Sequence, residues 1–119
     1  MGFLFIILMT FGLASEKVFV ACEGNYYQEN SSLWTISEGE VFEYGGSPIG
    51  EVLQSILVHD NRLFAIVNVS GNIQVFNILN DGLELVHIID TQFSGPREMI
   101  IQGEYLYFSN WYTADIKKI

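Results

Sequence analysis

The sequence predicts an all-β chain made of repeated antiparallel units. Three observations predict it: short β-branched and aromatic runs, turn residues between them, and self-similarity at a fixed spacing. "SILVHDNRLF" (55–64) lies over "EMIIQGEYLY" (98–107) at an offset of 43 residues. The apolar triplets Ile56-Leu57-Val58 and Met99-Ile100-Ile101 coincide, as do Leu63 with Leu106, Phe64 with Tyr107 and Ile73 with Ile116. A looser copy precedes them. There "KVF" at Lys17 lies over "RLF" at Arg62 at an offset of 45, and "LWTI" (33–36) over "IQVF" (73–76) at an offset of 40. The copies differ mainly in turn length, "EGNYYQENSS" being longer than "NVSG".

Each element follows from local chemistry. In the unit that is present whole, strands are predicted over 52–58, 63–68, 72–78 and 83–89. "NRLF", "SGN" and "NDG" supply tight turns, because Asn and Gly tolerate positive φ. The earlier unit gives strands over 18–22, 33–36 and 41–44, and the last gives two strands and most of a third, ending in "YLYFSNWYTADIKKI". No segment of the mature chain sustains a helical period, so essentially no helix is expected there.

Four antiparallel strands recurring every 40–50 residues or so form the blade of a β-propeller. The expected fold is therefore all-β, a β-propeller fragment of about two and a half four-stranded antiparallel blades, with units over 15–46, 50–90 and 96–119. A propeller closes with about 4–8 blades, so the chain reads as the first part of a longer ring. Open strand edges, above all beside Val18, should make it self-associate or precipitate when produced alone.

The N-terminus, "MGFLFIILMTFGLASEK", carries an apolar run over 3–13. That is too short to cross a hydrocarbon core of about 30 Å, and it fits the apolar region of a signal peptide. Gly12 and Ala14 put small residues before a cleavage point, so 1–14 is expected to be removed and 15–119 to be the mature domain. No Lys or Arg precedes the run. The expected location is secreted, periplasmic or on the cell surface, with no membrane span in the mature chain. Cys22 stands alone in "VFVAC" and has no internal partner; it is expected to be a small buried hydrophobe.

Charge narrows the partners. With 14 acidic against 5 basic residues and a net charge of −9, the chain lacks the basic clusters that phosphate backbones require. No nucleic acid partner is expected.

Successive strands alternate in direction, so the loops within units and the links between them meet at one end. Segments 23–32, 45–50, 68–72, 91–97 and 110–114 are gathered there. The candidate ligand-binding rim is Glu23, Asn25, Tyr26, Asn68, Arg97, Asn110, Trp111 and Tyr112, with Tyr27 and Phe93 beside them. Aromatic rings and amides on a rigid scaffold suit a small molecule, a glycan or a protein. The competing reading is structural, with Asn68 and Asn110 shaping turns and Trp111 packing between units. No catalytic residue, metal ligand or cofactor is assigned. His59 and His87 stand in different contexts without a third ligand at fitting spacing. Ser70-Gly71 and Ser94-Gly95 lack the strand-to-helix turn of a nucleophile elbow.

"VFVACEGNYYQENSSLWTI", "GPREM" and "LYFSNWYTADIKKI" resemble the first blades of secreted bacterial β-propellers of the YVTN, surface-layer-like type. The resemblance runs from about Val18 to Ile119. It implies a signal peptide, a longer ring and a non-catalytic binding or interaction module. The alternative it implies is part of a propeller-type lactonase or lyase, completed by further blades. In that case Glu23, Asn68, Arg97 and Asn110 are the local candidates.

Overall fold

A computed structural model describes residues 16–119. The expected signal segment lies outside the described residues.

The strands are β1 (Lys17–Cys22), β2 (Ser32–Ser37), β3 (Glu40–Glu43), β4 (Leu53–His59), β5 (Arg62–Val67), β6 (Asn72–Leu79), β7 (Gly82–Asp90), β8 (Pro96–Gln102), β9 (Tyr105–Asn110) and β10 (Ile116–Lys118). They form three antiparallel sheets in simple up-and-down order: β1-β2-β3, β4-β5-β6-β7 and β8-β9-β10. The described residues are otherwise turns and loops, and none of them forms a helix long and apolar enough to cross a membrane.

The internal repeat is visible as strand register. In the middle sheet Phe64 pairs with Val75, Ala65 with Gln74 and Ile66 with Ile73. In the last sheet Tyr107 pairs with Lys118, Phe108 with Lys117 and Ser109 with Ile116, every partner displaced by the same 43 residues. In the first sheet Val18 pairs with Ile36 and Val20 with Trp34. These match Leu63 with Phe76 and Ala65 with Gln74. The first strands of the middle and last sheets also share a bulge at their start, between Leu53 and Ser55 in β4 and between Pro96 and Met99 in β8.

Period-two alternation builds two cores. Leu63, Ala65 and Val67 of β5 face the first sheet, with Leu33, Ile49, Leu53 and Phe76 and the partly buried Phe19, Ala21 and Tyr44. Phe64 and Ile66, from the same strand, face the last sheet with Ile73, Leu106, Phe108 and Met99. The middle sheet is thus covered on both faces. Each fully buried Leu, Ile or Phe there contributes about 1.5–3 kcal/mol of apolar burial. The Tyr44 ring meets Phe76 edge-on, with centroids 5.2 Å apart.

Strand β7 shows how irregularity serves this packing. Leu83 and Leu85 join the first core, yet Ile89 joins the second. Unbroken alternation would put all three on one face. The ladder pairs Phe76 with Leu85 and then Val75 with His87, leaving Val86 as an extra residue that switches the face.

Two differences from the sequence reading have clear causes. The first strand of the middle sheet begins at Leu53 because Val52 takes a left-handed conformation, φ 61°. Cys22 is exposed, not buried. Strand β1 turns Phe19 and Ala21 inward, so Val18, Val20 and Cys22 point away from the core.

Candidate functional site

The up-and-down order gathers the β1–β2, β5–β6 and β9–β10 loops with the β3–β4 and β7–β8 links at one end. Side chains and backbone knit this end together. The Leu53 amide donates to the Glu23 carbonyl at 3.1 Å and to Ser31 Oγ at 2.9 Å, and Ser31 Oγ donates to the Glu23 carbonyl at 2.6 Å. Gln74 Nε2 reaches the Ile49 carbonyl at 2.7 Å, and Thr91 Oγ1 the Gly71 carbonyl at 2.7 Å.

The repeat extends into this network. The Asn68 amide donates to the Val52 carbonyl at 2.9 Å, and the Trp111 amide to the Gly95 carbonyl at 2.7 Å. Val52 and Gly95 hold the same left-handed backbone, with φ of 61° and 68°. Glycine suits this conformation and valine is strained in it. At position 95 space also demands glycine, since a Cβ would lie 2.8 Å from the Tyr112 ring.

Above Gly95 three of the candidate residues meet. The Trp111 and Tyr112 rings are near-parallel, 6° apart with centroids separated by 5.9 Å. The Arg97 guanidinium lies 5.0 Å from the Trp111 centroid. Arg97 falls within the β8 bulge, where a residue is turned out of the regular ladder. The backbone beneath is pinned by the Trp111 bond and by the Tyr112 amide on the Ser94 carbonyl at 3.1 Å. Asn110 Oδ1 accepts from Ser94 Oγ at 2.5 Å, while its Nδ2 donates to Asp115 Oδ1 at 3.1 Å. Trp111 is nevertheless 56% exposed and Tyr112 68%.

The other candidates are placed differently. Asn68 is only 1% exposed; its Nδ2 donates to the Pro96 carbonyl at 2.7 Å and its Oδ1 has no partner. It ties the middle sheet to the last one beneath the rim. Glu23, Asn25 and Tyr26 lie in the exposed β1–β2 loop, where the Asn25 amide donates to Asn30 Oδ1 at 2.7 Å. Glu23 binds the middle sheet through its carbonyl, which leaves its carboxylate free in the solvent. These three share no hydrogen bond or ring contact with the Arg97–Trp111–Tyr112 group.

Sequence reasoning missed Ser94, whose hydroxyl sets Asn110 and whose carbonyl holds Tyr112. It also missed a cleft of about 570 Å³ at the opposite end, lined by His59, Asp60, Arg62, Phe64, Glu104 and Tyr105 among others. None of the rim candidates lines that cleft. Its signal was the repeat of the turns, Asp60 standing over Gly103 at the offset of 43. Among the described residues, no three His, Cys, Asp or Glu side chains gather closely enough to hold a metal ion.

No family model matches the chain, and the search of curated proteins finds no match.

Proposed function

We propose that the chain is a binding module built of β-propeller blades, which takes its ligand on the rim without transforming it. The observation that carries this reading is the Arg97–Trp111–Tyr112 group. Two large rings are held parallel by backbone bonds and a guanidinium, and both remain open to solvent. Large aromatics normally bury their area, so a fixed and exposed pair is a surface that awaits a partner. Near-parallel rings beside the Arg97 guanidinium suit the flat apolar face and hydroxyl rim of a sugar ring, and a glycan is the ligand class they fit best. The blade reading is supported by three up-and-down sheets stacked face to face with a common register.

The test is a titration of the purified mature chain with a panel of soluble oligosaccharides, read by intrinsic tryptophan fluorescence and by calorimetry. Trp111→Ala should weaken binding of any responding sugar by tenfold or more, about 1.4 kcal/mol, with unchanged far-ultraviolet circular dichroism. Binding that survives both Trp111→Ala and Tyr112→Ala at full strength would remove the rim from the argument. Secretion belongs to the same proposal, and it rests on the apolar run over 3–13. N-terminal sequencing of the exported protein should begin at Ser15, and an intact Met1 would refute cleavage.

A further inference from the structure

Each flanking sheet has one covered face and one open face, and the repeat register identifies what each open face matches. On the first sheet the open face carries Val18, Val20, Trp34, Ile36 and Val41, with Val18 53% and Val41 60% exposed. Through the register its counterparts in the middle sheet are Leu63, Ala65, Gln74, Phe76 and Leu85. Those residues form the face on which the first sheet packs.

The open face of the last sheet carries Ile100, Tyr107 and Ile116, with Ile100 63% and Ile116 72% exposed. At the offset of 43 their counterparts are Leu57, Phe64 and Ile73. Phe64 and Ile73 belong to the face on which the last sheet packs. Both internal interfaces therefore join one type of face to the other. Among the described residues, one example of each type of face is left uncovered.

We infer that a second copy of this chain covers these faces, the open face of the last sheet of one copy seating on the open face of the first sheet of the other. Such a contact is head-to-tail, and it closes only where the rotation per sheet permits. The described residues of two copies bring six sheets, within the range of about 4–8 at which stacked, twisted sheets close a ring. The contact continues an interface already made twice inside each chain. It rests on the blade reading of the fold and is independent of what the rim binds.

The experiment is light scattering on the size-excluded mature chain, with Val20→Glu on the first face and Ile100→Glu on the last. The wild type should elute as one species of twice the chain mass. Each variant alone should be monomeric, with unchanged circular dichroism. Mixed in equal amounts the two should recover a dimer, since the mixture retains one intact pair of faces. Val18→Glu, farther toward the strand end, replaces Val20→Glu if that variant does not fold. A monomeric wild type overturns the inference. So does one variant that abolishes association while the other leaves it intact, which would mean like faces pair. A ladder of larger species overturns the two-copy ring. Glycan titration of the monomeric variants separates the two proposals: retained binding leaves the rim reading standing whatever happens to association.

Discussion

Phe76 and Ile36 occupy the same place in the repeat, and so do Leu63 and Val18. Their surroundings differ completely. Phe76 and Leu63 are fully buried in the middle sheet, whereas Val18 is more than half exposed and Ile36 is only partly covered. The residue types barely change between the two regions, because both positions ask for an apolar side chain. What changes is whether another sheet lies over them. Apolar character at a strand position therefore marks a face that can be covered. Burial depends on the neighbour that covers it.

That contrast can be broken most sharply by truncation. Phe76→Ala should cost about 3–5 kcal/mol, a large share of a small domain's stability, while Ile36→Ala should cost about 1 kcal/mol or less. Urea unfolding in the monomeric Ile100→Glu background measures both, and equal losses would mean that the first sheet's outer face is already covered within one chain. Gly95→Val comes next. It imports the valine of the equivalent position 52, where the strain is tolerated, into a place with no room beneath Tyr112. A loss of about 2–3 kcal/mol is expected, together with a shift in Trp111 emission; a silent substitution would show that the rings are not held by Gly95.

Asn68→Ala should cost about 1–3 kcal/mol, because the buried Pro96 carbonyl loses its donor. Hydrogen exchange should then rise first where the last sheet meets the middle one. The smallest effect is expected at Asp60→Gly. Asp60 holds φ 51° where the repeat has Gly103 at 61°. Stability should change by under about 0.5 kcal/mol, measured by the same unfolding, and a large loss would mean that the His59–Asp60 pair does more than sit on the surface.

The repeated sheets were legible in the sequence because alternation and turn residues recur at a constant offset, and both are properties of local chemistry. Burial was harder to read. In "VFVAC" both faces are apolar, so alternation leaves no trace and Cys22 looked like core. Bulges are equally silent. Nothing in "LELVHII" announces that Val86 is the extra residue, or in "GPREM" that Arg97 leaves the ladder. The rim as a set follows from strand direction alone. Which of its members touch does not, since the Arg97–Trp111 contact depends on a bulge and on the missing Cβ at Gly95. Asn68 shows the same limit. Its residue type fits a turn or a ligand contact equally well, and only three-dimensional packing reveals it as a buried strut.

The bulge at Val86 has a consequence for how such a chain tolerates changes in length. Excising Val86 would set Leu85 beside His87 and restore an unbroken ladder, with Leu83, Leu85 and Ile89 still on the sides they occupy now. Excising one residue from β5 would instead exchange the side chains given to its two neighbours, since Leu63 and Phe64 serve opposite cores. Extra residues are thus absorbed in the edge strands β4, β7 and β8, which carry the bulges, and rejected by the central β5. Turns take up length as well: the offset falls from 45 to 40 across the long β1–β2 turn, while the faces on either side of it stay in step.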